Sequence, residues 1–121
     1  MAYLAPTPET DTVLEAMRTM LGDRLHLAVT LGYGPRFLHS TGQLHKGGPN
    51  TGLFLQITQS AQPELPIPGE AYDFGTLISA QALGDYQALS EHGRRVMRLS
   101  LREDSEIGLK ALRTALAEAL G

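Results

Sequence analysis

Three short apolar runs, separated by stretches with helical spacing, constrain this chain more than any other feature. Leu25, Leu27, Val29 and Leu31 alternate with His26, Ala28 and Thr30, which predicts a strand. Leu53, Phe54, Leu55 and Ile57 form a nearly continuous apolar run, as in a strand covered on both faces. From Arg95 to Leu101, Met97, Leu99 and Leu101 alternate against Val96, Arg98 and Ser100, predicting a third strand. Helical periodicity fills the intervals. Asp11 is placed to cap a helix over about 11–22, with Val13, Leu14, Met17, Met20 and Leu21 on one face and Gly22 ending it. Leu38 to Lys46 reads as a short helix stopped by Gly47-Gly48-Pro49. Phe74 to Leu83 reads as a helix, and Asp85 to His92 as a second stretch after Gly84. Asp104 or Ser105 caps a final helix whose apolar face is Leu109, Leu112, Leu116 and Leu120.

The resulting order is helix, strand, helix, strand, helix, strand, helix. Such alternation implies an α/β fold: a short parallel sheet with helices on its faces, three layers deep. In sheets of this kind ligands gather beyond the carboxyl ends of the strands. The segment from residue 32 onward follows the first predicted strand and so lies in that position. Ahead of the first helix, Tyr3-Leu4-Ala5 looks like the tail of a buried strand ended by Pro6 and Pro8, which reads as a cut end. Residues 60–72 read as a loop broken by Pro63, Pro66, Pro68 and Gly69.

A length of 121 residues predicts one domain, and 42% hydrophobic residues are enough to give it a core. The absence of cysteine excludes disulfides and thiolate metal sites and suits a reducing cytoplasm, the expected location. A net charge of −3 without a basic cluster argues against a nucleic-acid partner. No apolar run approaches the roughly 20 residues of a membrane helix, so no membrane partner is expected.

Two clusters carry chemistry. His39-Ser40-Thr41-Gly42-Gln43 gathers an imidazole, two hydroxyls and an amide, the groups a polyhydroxylated ligand needs for hydrogen bonding and proton transfer. The same residues also read as a helix N-terminus capped by Ser40 or Thr41. His45 and Lys46 offer a second proton carrier and a cation for a phosphate. They equally suit the negative end of a helix dipole. The spacings of His26, His39, His45 and His92 match no ligand motif, so no metal is expected. Lys110 lies beside the apolar stripe of the last helix, where most lysines are simply solvated.

The run Phe37-Leu38-His39-Ser40-Thr41-Gly42-Gln43-Leu44-His45, continued by Lys46-Gly47-Gly48-Pro49 and by Gly52 to Thr58, resembles the C-terminal part of the glucose-6-phosphate isomerases. It is most similar to the isomerase half of bifunctional transaldolase/glucose-6-phosphate isomerase proteins. Leu65 to Gly69, Phe74 to Leu77 and Ala80 to Asp85 resemble the same branch, so the likeness covers about residues 3–120. It implies a sugar-isomerase subdomain of α/β/α architecture and interconversion of glucose 6-phosphate and fructose 6-phosphate without cofactor or metal. In that family a glutamate moves a proton between C1 and C2 through an enediol, and a histidine and a C-terminal lysine open the ring.

Carried onto this sequence, the catalytic candidates are His45, His39 and Lys110. His39 matches the first of two family histidines. His45 matches the second, catalytic one if one residue is skipped, and Lys46 stands at its place without a gap. Ser40, Thr41, Gly42, Gln43 and Lys46 become candidates for binding the sugar phosphate. No Ser/Thr-rich phosphate loop precedes residue 39, and the upstream glutamates, Glu9 and Glu15, sit in no matching motif. The expected partners are therefore an N-terminal remainder of the isomerase and a second copy in a homodimer. The chain would then be an excised piece or one part of a split protein, inactive alone. A non-catalytic sugar-phosphate-binding module and a purely structural piece are the alternatives.

Overall fold

The computed structural model describes residues 1–60, 65–102 and 104–121. Helix α1 spans Pro8–Leu25. Its start is fixed by Thr7, whose hydroxyl accepts the Thr10 N–H while the Thr10 hydroxyl accepts the Thr7 N–H, and by Pro8 at the first helical position. Asp11, the expected cap, stands in the first turn instead and accepts a hydrogen bond from the Tyr33 hydroxyl at 2.5 Å. The helix runs past Gly22 and ends on His26, which takes the left-handed conformation at φ 52°.

The first predicted strand does not form. Residues 27–32 have no regular structure, and Leu25 and Leu27 are exposed. The physical reason is the length of the available neighbour. Strand β1 is only Ala2–Tyr3, so the incoming segment finds one residue to pair with. Ala2 N–H donates to Gly32 O and Gly34 N–H to Ala2 O, giving a single parallel bridge between Ala2 and Tyr33. The N-terminal stub is thus sheet, as its sequence implied, and it takes a position the 25–31 run was expected to hold.

The remaining strands match their sequence signals. β2 is Leu53–Gln59 and β3 is Arg95–Leu101. The sheet order is β1-β2-β3, all parallel, with Ala2 opposite Ile57 and Leu53 to Gln59 opposite Arg95 to Leu101. Between β1 and β2 lie a 3₁₀ turn, Arg36–His39, and helix α2, Thr41–Gly47. The single helix predicted over 38–46 is therefore broken at Ser40 (φ −142°, ψ −99°). Helix α3 runs unbroken from Phe74 to Glu91, carrying Gly84 on an exposed turn where it interrupts nothing. Helix α4 is Ser105–Leu120, capped by Asp104, whose carboxylate accepts the N–H groups of Glu106 and Ile107. The loop break expected at Pro63 lies outside the described residues.

Alternation along the strands divides the molecule into three layers. Ala2, Leu4, Ile57 and Leu101 face α1 and α4 and join Val13, Leu14, Met17 and Leu109 in one apolar core. Tyr3 faces the other way and packs with Phe37 and Ala82, under the 3₁₀ turn and α3. The fold is α/β with a three-layer α/β/α architecture. Leu53, Phe74, Leu83 and Met97 remain exposed. No helix among the described residues is long and apolar enough to cross a membrane.

Candidate functional site

Helix α2 is short, and its hold on the sheet comes from its C-terminal end. Gly48 N–H donates to Leu44 O at 2.8 Å and closes the helix. A Cβ on Gly48 would sit 2.5 Å from Leu44 O, so glycine is required for this close approach. The Arg94 guanidinium, reaching in from the segment before β3, donates to the carbonyls of Lys46 and Gly48, both at 2.6 Å. It thereby satisfies carbonyls that a helix end leaves without partners.

This anchoring turns His45 and Lys46 inward. The His45 ring is half-buried between Phe54, at a centroid distance of 5.0 Å, and Phe37, at 5.9 Å. Its Nδ1 is buried and has no hydrogen-bond partner among the described residues. Burial pushes the imidazole below its ordinary value, and the Asp85 charge partly opposes that shift. The ring is therefore neutral at neutral pH, with one N–H to donate and one lone pair to accept. Lys46 Nζ pairs with Asp85 Oδ1 at 2.9 Å, and the Asp85 side chain is only 1% exposed.

Asp85 stands at the centre of a wider polar group. Among the described residues its Oδ2 has no partner, nor do Tyr3 OH, Gln56 Oε1 and Arg94 Nε. Gln56 Nε2 donates to Ala82 O at 2.9 Å. Burial, and then the Asp85 charge, push the Tyr3 phenol well up. Tyr3 packs edge-on against Phe37, and a Cβ on Gly34 would fall 2.3 Å from its Cζ. Glycine at position 34 is what lets the backbone reach the ring.

The other sequence candidates are distributed less favourably. His39, Ser40, Thr41 and Gln43 are exposed. Ser40 occupies the cap position of α2, yet its hydroxyl donates to Phe37 O at 3.3 Å and caps nothing. Gln43 Nε2 donates to Leu38 O at 3.5 Å, and Gly42 is buried against Phe37 and Leu38. Lys110 does not join the group. It lies on α4, in the opposite layer, with its ammonium paired to Glu106. Leu109, Leu112 and Leu116 hold α4 against the core and leave Lys110 in solvent. Glu9 and Glu15 belong to α1, in that same opposite layer.

Asp85, Arg94, Tyr3 and Gln56 were not singled out from sequence. Asp85 had a readable signal: it falls on the stripe Ile78, Ala82, Asp85, Leu89, an acid on the buried face of a helix. Gln56 interrupts an apolar strand, which is the same kind of signal.

No protein-family model matches the chain, and no curated protein does. The chain is similar to the crystal structure of a hypothetical protein from Thermus thermophilus, with a TM-score of 0.63 and 26% identity. The match covers 74% of this chain and 25% of that one, so the chain spans about a quarter of the protein it resembles.

Proposed function

We propose that this chain is the histidine-bearing C-terminal portion of a glucose-6-phosphate isomerase, interconverting glucose 6-phosphate and fructose 6-phosphate as part of a longer cytoplasmic enzyme. The observation that carries this reading is His45: a neutral, half-buried imidazole with a free ring nitrogen, within the run that resembles that family. Opening a pyranose needs a proton delivered to the ring oxygen and another removed from the C1 hydroxyl. A neutral imidazole carries both capacities. Lys46, fixed by Asp85, supplies a cation beside it for the sugar phosphate. The glutamate that moves the C1/C2 proton would come from the N-terminal remainder of the isomerase or from a second copy. That the chain spans a quarter of the protein it resembles supports such a partner.

Combining the chain with that N-terminal portion is expected to yield isomerase activity in a coupled assay, which His45→Ala then removes. An active assembly indifferent to both His45→Ala and His39→Ala would sink the histidine assignment.

One observation favours a second reading, a sugar-phosphate-binding module without catalysis. Lys110, a candidate for ring opening, and the upstream glutamates Glu9 and Glu15 all lie in the layer opposite His45. Amide shifts across residues 39–46 on adding glucose 6-phosphate, with no turnover even in the assembled protein, would select this reading.

A further inference from the structure

A cleft of about 190 Å³ opens where β2 and β3 end, between the sheet and α3. Strand alternation builds its floor. Leu99 and Leu101 turn toward α4, so Arg98 and Ser100 turn toward α3. Ile57 likewise faces α1, and Thr58 faces the cleft. The ladder runs one step beyond β2: Ser60 N–H donates to Leu101 O at 2.8 Å. This places Ser60 Oγ 3.0 Å from Ser100 Oγ and 3.0 Å from Leu101 O. With Ser60 donating to that carbonyl, the Ser100 hydroxyl donates to Ser60 Oγ. Ser79 completes the rim from α3, and its hydroxyl has no partner among the described residues.

The electrostatics point one way. Among the described residues lining the cleft none carries a carboxylate, and the only charged side chain is Arg98. Its half-buried guanidinium makes no ion pair or hydrogen bond among the described residues. A forked cation with no counter-charge among the described residues, beside the free Ser79 hydroxyl, suits a tetrahedral oxyanion, which accepts two parallel N–H bonds on one edge and a hydroxyl bond on another. The cleft is smaller than the roughly 300 Å³ at which sites for whole small molecules begin, so it suits a phosphate group rather than a larger body. It also lies at the carboxyl ends of parallel strands, where this architecture collects ligands.

We propose that this cleft is a phosphate-binding site, with Arg98 as the ionic anchor and Ser79 as the hydroxyl donor, independent of His45. The test is a titration of inorganic phosphate into the ¹⁵N-labelled 121-residue chain at fixed pH and ionic strength, with chloride as the balancing salt. Saturable shifts are expected at the amides of Thr58, Ser60, Ser79 and Ser100. Arg98→Gln should weaken the midpoint at least tenfold, whereas His45→Gln should leave it unchanged. Ser79→Glu places a carboxylate on an exposed helix turn at the rim. It should abolish binding without threatening the fold, which keeps the test decisive if Arg98→Gln proves insoluble. A parallel titration with methyl phosphate separates the sources. Binding assigns the cleft to an ester headgroup as well, and no binding assigns it to the free ion. Shifts that never saturate, that chloride reproduces, or that survive Ser79→Glu overturn the proposal.

Discussion

The two faces of the sheet are built to opposite rules. Toward α1 and α4 the interior is aliphatic: Val13, Leu14, Met17, Ile57, Leu101 and Leu109 touch one another, and the buried hydroxyl of Thr10 is fully engaged. Toward α2 and α3 the interior holds Gln56, Thr58 and Asp85, and the five buried side-chain atoms without a partner among the described residues all lie there. Buried polar groups are normally satisfied, because each orphan costs roughly 1–3 kcal/mol. A sheet with one satisfied face and one frustrated face separates two tasks. One face supplies stability, and the other keeps polar chemistry poised out of water, which is where perturbed titrations concentrate.

Four substitutions test that division, in descending order of expected effect. Leu109→Ala removes a side chain with no exposed surface from the aliphatic face. It should cost about 2–5 kcal/mol of unfolding free energy, read from denaturant titration. A cost below about 1 kcal/mol would mean that face is not the stabilising one. Lys46→Met strands the buried Asp85 carboxylate. The lysine side chain is 27% exposed, so the loss should fall below that of a fully buried pair, at about 2–3 kcal/mol, and Lys46→Met/Asp85→Leu should recover most of it. If the double variant is no better than the single, the loss does not come from a stranded carboxylate.

Gly34→Ala drives a methyl group into the Tyr3 ring and should cost about 1–3 kcal/mol by overpacking. The smallest effect, and the one most specific to the frustrated face, belongs to His45→Phe. It removes a buried unpartnered nitrogen between two aromatic rings. Stability should therefore change by less than about 1 kcal/mol, or rise. The pH profile should change with it. Because burial lowers the folded-state value of His45 below 6.5, the unfolded chain binds the proton first as pH falls. The stability contributed by the neutral ring is present above 6.5 and declines below it. His45→Phe should flatten that acid limb in melts taken between about pH 7 and 5, and an unchanged limb would mean another group titrates there.

Much of the aliphatic face was legible in the sequence, because the 3.6-residue stripes on α1 and α4 and the period-2 pattern of β3 report burial directly. The same rule misled at residues 25–31. Alternation marks a segment able to be a strand, but pairing needs a neighbour, and β1 offers one residue. The frustrated face was harder to read. Residues 39–46 stood out as a polar cluster, yet what makes His45 differ from His39 is its burial against Phe37 and Phe54, which depends on α2 being tied down by Arg94 from far along the chain. Lys110 shows the converse: a place in the last helix says nothing about which layer that helix joins.

The two-residue strand β1 has a kinetic consequence. Met1 N and Leu55 O are hydrogen-bonded although 54 residues separate them, and the contacts joining β2 to β3 close loops of similar size. Helices α1, α3 and α4 can begin to form from local contacts, whereas no rung of the sheet can form without closing a long loop first. Because β1 contributes only two residues of ladder to offset its loop closure, its docking belongs late on the folding path. Until it docks, the Tyr3 side of the site has no wall. The part of the polar face that Tyr3 covers therefore depends on the shortest strand in the sheet.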